Sequence, residues 1–183
     1  MAIIYTTGDG RQFIVPDGTQ LAINVTLFDS LITNRTQQDV ERWRELHDKG
    51  WLRMTTDEKA EWLGRMKGRY SYADMNRVET AVKNLSDRFV INGYLTTPLS
   101  VKTDWSYADV PTRDDMERYL GNVATLRNVM FVYPTTPKAP TIDQPMDYTM
   151  ANDIEKILFD VNDILTKIPQ SWRYAGEIYS GED

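Results

Sequence analysis

The chain has 183 residues, of which 41% are hydrophobic and 26% charged, so it can form a globular domain with its own core. The formal net charge of −6 argues against a partner that needs a basic surface, such as nucleic acid or an anionic membrane. With no cysteine and one histidine, disulfides and thiolate metal sites are excluded, and we expect no cofactor.

Residues 1–33 are predicted to form a small β-rich element. Residues 3–5 and 12–15 are β-favouring runs on either side of a Gly-Asp-Gly turn, the pattern of a hairpin. Apolar residues alternate over 21–28, which predicts a third strand. Because an isolated hairpin is marginally stable, we expect it to dock on the bundle or a partner. No signal-peptide pattern or membrane span is recognised, so we expect a soluble protein made in the cytoplasm.

Residues 34–183 are predicted to form a bundle of about five helices, which makes the protein mainly α. Capping patterns mark the helix starts. The predicted starts are Thr36 or Asn34, Thr55-x-x-Glu58, Ser71-x-x-Asp74 and Thr112-x-x-Asp115, with a last helix from about Tyr148. We expect Gly50 and Gly68 to end the first two helices and Pro169 to end the last. Four prolines in residues 134–145 predict an extended connector.

One short pattern occurs twice. Residues 72–85 and 148–161 both place Tyr, then Asn four residues later and Glu three residues after that. On a helix, this spacing aligns the three side chains in a polar stripe at the edge of the apolar seam. The two stripes comprise Tyr72, Asn76 and Glu79, and Tyr148, Asn152 and Glu155.

Two interpretations of the stripes are open. In the first, each Asn bonds to a neighbouring helix or a loop carbonyl and fixes the packing register, since a buried amide must be paired. In the second, Glu79 and Glu155 form a carboxylate pair in a cleft between the two helices, which would allow acid–base chemistry. We expect the structural interpretation, and we expect the protein not to be an enzyme.

A few other side chains are candidates for function. His47 is the only histidine, and we expect it at the edge of a helical apolar face in a structural role. Trp105, Trp172 and Tyr174 are predicted to lie in irregular segments, where aromatic side chains can bind a sugar ring or anchor a partner. The alternative is that these aromatics cover the ends of the bundle core.

Several strings occur together in a way that resembles a known family. They are R-T-Q-Q-D-V (35–40), K-G-W (49–51), M-T-x-x-E-K-A-E-W-L (54–63), D-M-N-R-V-E (74–79), K-T-D-W (102–105), P-T-x-x-x-M-x-R-Y-L-x-N-V (111–123), A-N-D-I-E-K-I-L (151–158) and W-x-Y-A-G-E-I-Y-S-G-E (172–182). From about residue 35 onward, the chain resembles structural proteins encoded near the tail and tail-fibre genes of bacteriophages and prophages of Gram-positive gut bacteria. The β-rich residues 1–33 match least well.

The resemblance implies a virion structural protein of the tail, baseplate or tail-fibre region, and it implies no catalytic residues. We expect a homo-oligomer that contacts other tail proteins through residues 1–33, adding strands to a partner sheet. One alternative is a tail-tip module that binds host-surface carbohydrate through aromatics such as Trp105 and Trp172. A second alternative is a cell-wall hydrolase.

Overall fold

The computed structural model describes the backbone of residues 3–6, 12–15, 27–64 and 66–179, and the side chains of 27–64 and 66–168. The chain divides into two compact units, residues 1–30 and 31–183. In the first unit, β1 (Ile3–Thr6) pairs antiparallel with β2 (Gln12–Val15), with Ile3 opposite Val15. Most of the predicted third strand lies outside the described residues, and its end, 27–28, belongs to a short helical turn.

The described part of the second unit contains five α-helices of eight residues or more, and the prediction of a mainly helical protein is confirmed. The helices are α1 (Gln37–Lys49), α2 (Thr56–Leu63), α3 (Tyr72–Ile91), α4 (Arg113–Asn128) and α5 (Tyr148–Tyr179), with a 3₁₀ turn at Trp51–Arg53. Residues 31–33, which the sequence assigns to the β-rich element, belong to this helical unit.

The predicted capping residues begin α1 to α4. Thr36, Thr55, Ser71 and Thr112 each form a capping box with the acidic residue three positions later. In such a box two backbone N–H groups of the first turn, which have no partner inside the helix, find acceptors. The start of each helix is therefore fixed locally, by residues adjacent in sequence.

Helices α3, α4 and α5 pack on one another and build the core. Arg77 near the start of α3 binds Glu155 near the start of α5, and Arg88 near the end of α3 binds Asn162 and Thr166. Contacts that advance in the same direction along both helices show that α3 and α5 run parallel. Their apolar seams are buried as far as Phe89 on α3 and Leu165 on α5. The most buried members are Val78, Val82, Leu85, Phe89, Ile154, Ile157, Leu158 and Val161.

Parallel helices need long connections, and the two connectors run back along the bundle. Residues 92–112 follow α3 backwards, because the Leu99 N–H donates to Ser86 and the Trp105 N–H donates to Asn76. Residues 129–147 follow α5 backwards, since Tyr133 binds Asp163 and Thr136 binds Asp160. Each connector returns the chain to the end of the bundle where the next helix begins, so α4 also runs parallel to the other two.

Helices α1 and α2 form a helical hairpin in which Leu46 is the only fully buried side chain. Arg42 and Glu61 join the two helices by an ion pair of 2.7 Å. Gly50 caps α1 with a φ of 74°, a conformation that favours glycine. Gly68 packs so closely on the backbone of Asp39 that a Cβ atom would collide with its carbonyl oxygen.

Two predicted helix ends are wrong. Helix α2 ends at Leu63, with Gly64 as its cap, and does not reach Gly68. Helix α5 passes through Pro169 and continues to Tyr179, so Trp172 and Tyr174 lie on a helix instead of an irregular tail. A proline inside a helix removes one backbone hydrogen bond and costs about 3 kcal/mol, which weakens a helix without forbidding it.

Candidate functional site: two buried clamps

The two asparagines of the polar stripes bind backbone in the same way. Asn76 accepts a hydrogen bond from the Trp105 N–H at 2.7 Å and donates one to the Trp105 carbonyl at 2.8 Å. Asn152 accepts from the Arg35 N–H and donates to the Arg35 carbonyl, both at 2.9 Å. Each amide therefore pairs with both polar groups of one residue in an extended segment, as a neighbouring strand would.

Glu79 holds the same connector as Asn76, one helical turn further along α3. Its carboxylate accepts from the Lys102 N–H at 2.8 Å and from the Trp105 indole N–H at 3.1 Å. Arg118 of α4 completes the set with two bonds of 2.6 and 2.7 Å. We call Asn76 and Glu79, together with the bound segment 102–105, the α3 clamp.

Glu155 of α5 holds the same segment as Asn152 and is fully buried. Its carboxylate accepts from the Ile32 N–H at 2.6 Å, from Arg35 at 2.7 Å, and from Arg77 at 2.7 and 3.1 Å. Asp74 contacts both guanidinium groups as well, at 2.7 Å from Arg77 and 3.4 Å from Arg35. We call Asn152 and Glu155, together with the bound segment 32–35, the α5 clamp.

The two clamps match position by position. Helix α3 is capped by Ser71 and α5 by Asp147, whose side chain accepts from the Met150 N–H. In both helices the asparagine lies five residues after the cap and the glutamate eight residues after it. In both bound segments the residue held by glutamate lies three positions before the residue held by asparagine.

The arginines also occupy one common position. Arg77 lies six residues after the cap Ser71, and Arg118 lies six residues after the cap Thr112. Each reaches from its own helix to the clamp glutamate of a neighbouring helix. The helical unit thus uses the same arrangement twice. A glutamate of α3 or α5 holds an extended chain segment and is bound by an arginine from a neighbouring helix.

The electrostatics keep three groups around the clamps ionised, namely Asp74, Arg77 and Arg118. Burial raises the pKa of Asp74, but the hydrogen bond from the Ser71 backbone and the charge of Arg77 outweigh it, so the pKa lies below its usual range. Burial acts to lower the pKa of Arg77, and its bonds to Glu155 and Asp74 raise it overall. The hydrogen bonds to Glu79 raise the pKa of Arg118. None of these three groups is tuned to exchange a proton near neutral pH.

A pair of tyrosines lies beside the α5 clamp. The Arg35 guanidinium lies over the Tyr70 ring, 5.3 Å from its centroid, and the Tyr70 and Tyr119 hydroxyls are hydrogen-bonded to each other. Burial raises the pKa of both hydroxyls, so they stay neutral. Within the described residues, the Arg35 Nε and the Arg77 Nη1 are buried without a hydrogen-bond acceptor, which adds to the desolvation cost of this cluster.

The remaining predicted site residues have other positions. Tyr72 is 42% exposed and Tyr148 is half-buried, so the first member of each stripe lies outside the clamps. Trp105 is only 4% exposed and its indole binds Glu79, so of the two uses considered for this aromatic the structure has it in the core and not free to bind a sugar or a partner. Trp172 and Tyr174 lie on α5, and their side chains fall outside the described set.

The surface of the α1–α2 hairpin carries two open clefts. The larger has a volume of about 410 Å³ and is lined by Trp43, Trp62, Leu63, Gly64, Met66, Arg69, Ser71, Tyr72, Ala73 and Asp74. The smaller, of about 210 Å³, includes Arg42 and Glu61, which are bound to each other. His47 lies outside both clefts, between the rings of Trp43 and Trp62.

Both clamp carboxylates are already bound by groups of the protein itself. Glu79 and Glu155 each bind their own arginines and a backbone N–H, so the two do not share a cleft as a carboxylate pair. Across the ranges whose side chains are described, 27–64 and 66–168, no three acidic or histidine side chains converge to hold a metal ion. No helix in the described part of the chain has the length and hydropathy to span a membrane.

The fold and the clamps define a mainly helical scaffold that uses its buried charges to hold its own connectors. Comparison with models of protein families, with curated proteins and with solved structures finds no match.

Proposed function

We propose that the protein is a non-enzymatic structural component of a phage tail, baseplate or tail-fibre region, where it acts as an assembly or adaptor protein of the virion. It would be made in the host cytoplasm and incorporated into the tail. Its expected partners are other tail proteins and copies of itself, and it needs no cofactor, nucleic acid or membrane. The observation that carries the proposal is that the buried glutamates Glu79 and Glu155 each hold an extended segment of the chain.

A rigid scaffold is what an adaptor requires. Connectors of about 20 residues usually lose considerable entropy when they are ordered, at about 1–2 kcal/mol per residue. Here, segment 102–105 of the connector is held by two side chains of α3, and Arg118 of α4 donates to the Ser100 carbonyl just before it. Segment 32–35, which follows the N-terminal unit in the chain, is held in the same way by α5. A force applied to residues 1–30 would therefore reach the bundle through segment 32–35, which these contacts fix.

The strings that carry the phage resemblance include the asparagine and the glutamate of both clamps. D-M-N-R-V-E includes Asn76, Arg77 and Glu79, and K-T-D-W is the segment that they hold. A-N-D-I-E-K-I-L includes Asn152 and Glu155. This coincidence supports the view that proteins of the resembling family share this scaffold.

Deleting residues 1–30 in a phage that encodes the protein tests whether this unit docks on the tail. The deletion should stop at Ser30, because Ile32 donates its N–H to Glu155. We expect the truncated protein to fold, with an unchanged helical circular dichroism spectrum, and to be missing from purified virions. The full-length protein, supplied from the same plasmid, should be incorporated. Normal incorporation of the truncated protein would overturn docking through this unit.

The carbohydrate-binding alternative now depends on Trp172 and Tyr174, because Trp105 is buried and bound to Glu79. A glycan array tests it with the full-length protein. Binding that is lost in Trp172→Ala and kept in Trp51→Ala, with folding intact in both, would favour this alternative over the adaptor. The hydrolase alternative is tested by zymography on Gram-positive peptidoglycan, where we expect no clearing.

A further inference from the structure

Helix α5 is much longer than the helices that it packs against. It has 32 residues, whereas α3 has 20 and α4 has 16. At 1.5 Å per residue these lengths are about 48, 30 and 24 Å. A bundle of this size therefore covers α5 over only part of its length.

The contacts of the described residues show where the bundle ends. Arg88 of α3 binds Thr166 of α5, and only three residues of α3 follow it. After α4 the chain has already turned back at Tyr133, which binds Asp163. Burial along the α5 seam changes accordingly, from complete at Val161 to intermediate at Ile168.

The seam itself does not stop at the end of the bundle. Apolar residues alternate at spacings of four and three from residue 154 to residue 168, and the same spacing continues through the last turns of α5. The members of this series are Ile154, Leu158, Val161, Leu165, Ile168, Trp172, Ala175 and Tyr179. Such a heptad pattern is typical of a helix that packs against another helix along this seam.

We propose that residues 169–179 of α5 pair with the same segment of a second copy of this chain, in an antiparallel two-helix contact. The first half of the seam faces α3 and α4, so a partner for the continuation has to occupy the space beyond the ends of those helices. A parallel partner would bring its own bundle into that space. An antiparallel partner places its bundle at the far end of the contact.

The residues that flank the continuation are compatible with self-pairing. In a coiled coil the positions next to the seam decide which partners are accepted, and like charges there oppose association. In this segment the flanking positions are all uncharged. They are Pro169, Ser171, Gly176 and Ile178. The contact is isologous, so it closes with two copies.

Molar mass in solution tests the contact with the full-length protein. We expect the wild type to be a dimer and both Trp172→Glu and Ala175→Glu to have the 21.2 kDa mass of one chain, because a glutamate in the seam would be buried without a partner. Tyr174→Glu is the matched control: it introduces the same residue between the two seam positions, and the dimer should persist. Circular dichroism should show that all three variants keep the helical unit folded.

A monomeric wild type at about 100 µM, well above the Kd of a stable dimer, would overturn the proposal. So would a dimer that survives both seam substitutions, or one that Tyr174→Glu also dissociates. The proposal does not depend on a role in the phage tail, because the mass is measured on the isolated protein.

The direction of pairing can be measured with spin labels on introduced cysteines, because the chain has no cysteine of its own. Lys167→Cys and Tyr174→Cys lie one heptad apart on the same outer position, so spin labels there report directly on helix direction. In an antiparallel pair the distance between copies should be longer at 167 than at 174 by more than about 10 Å. Equal distances at the two positions would indicate parallel helices and overturn the antiparallel contact.

Discussion

The α3 and α5 clamps hold chain segments with the same two residue types, yet they neutralise their glutamates differently. Glu79 binds one arginine, Arg118, whose side chain is 23% exposed, and adds the Trp105 indole. Glu155 binds two arginines, Arg35 and Arg77, whose side chains are 2% and 5% exposed. The α3 clamp thus lies at the edge of the bundle, and the α5 clamp lies inside it.

The difference shows how the position of a charge decides its energetic role. A partly exposed guanidinium that loses its carboxylate can turn to water, so the loss is limited. A fully buried guanidinium has no such alternative and keeps its desolvation cost uncompensated. The same pair of residue types should therefore contribute unequally to stability, although the geometry of the backbone contacts is equal.

The largest effect is expected from Glu155→Gln. The substitution leaves Arg35 and Arg77 with Asp74 as their only carboxylate, so the buried cluster gains a net positive charge. We expect the free energy of unfolding of the helical unit to fall by about 3–5 kcal/mol. Urea unfolding at pH 7, followed by circular dichroism, measures it.

Glu117→Gln serves as the matched control for this substitution. Glu117 forms an exposed ion pair with Arg113 on the surface of α4, and removing such a pair changes the free energy of unfolding by about 0.5 kcal/mol or less. If the two variants lost similar amounts of stability, the arginine cluster would not be a buried electrostatic element.

A smaller effect is expected from Glu79→Gln. The new amide oxygen can still accept from the Lys102 N–H or from the Trp105 indole, and Arg118 can move toward water. We expect the same urea measurement to show a loss of about 1–3 kcal/mol. A loss equal to or above that of Glu155→Gln would mean that exposure of the arginine does not decide the difference between the clamps.

Much of the helical unit follows from local sequence, because helix starts are local events. The acidic residue three positions later predicts the helix starts at Thr55, Ser71 and Thr112, and each begins a helix. The stripe at the edge of the seam also follows from spacing alone. What the stripe holds does not, since segment 32–35 is more than 110 residues away from α5 in sequence.

The arginines of the clamps are not among the predicted site residues, although the sequence carries a signal for two of them. Arg77 and Arg118 each follow a Ser/Thr-x-x-Asp capping pattern at the same distance. When a repeated cap-to-arginine spacing occurs together with a repeated Asn-x-x-Glu spacing, the pattern indicates ion pairs between the arginine of one helix and the glutamate of a neighbouring helix. Arg35 has no such pattern, because it lies in an extended segment whose position is set by tertiary contacts.

Trp105 shows why a loop aromatic cannot be judged from its neighbours in sequence. It lies in an irregular segment with polar residues on both sides, which favours an exposed position. The α3 clamp overrides that tendency by binding both its backbone and its indole, and the ring is buried. Burial here is decided by a helix 26 to 29 residues earlier in the chain.

A third prediction concerns the asparagine of each clamp, which makes the same two backbone hydrogen bonds in both. Asn76→Ala and Asn152→Ala each leave one N–H and one carbonyl of a held segment without their partner. We expect each to lower the free energy of unfolding by about 1–3 kcal/mol, and the two values to agree more closely than those of the glutamate variants. Urea unfolding of both variants under identical conditions measures the difference.

Asn92→Ala is the control for the asparagine pair. Asn92 is exposed and donates only to the Arg88 carbonyl at the end of α3, so its loss should be clearly smaller. Unequal values for Asn76→Ala and Asn152→Ala, differing by as much as the glutamate variants do, would show that the backbone contacts are not equivalent.

The smallest effect is a difference in acid stability. The pKa of Asp74 is lowered in the folded protein, mainly through the Ser71 backbone and Arg77, which outweigh the opposing effect of burial. A lowered pKa means that the unfolded chain binds the proton first. Asp74 therefore contributes stability above the unfolded pKa of about 3.8, and this contribution is lost as the pH falls further through the folded value.

We accordingly expect the urea midpoint to fall below about pH 4 in the wild type and to fall less steeply in Asp74→Asn, which has no proton to bind. Some decline should remain, because Lys49 lowers the pKa of Glu58 to about 2 and Glu58 titrates in the same range. The control is Asp87→Asn, at a surface pair with Lys83. If Asp74→Asn kept the full wild-type decline, the acid sensitivity of the protein would lie outside the cluster around the α5 clamp.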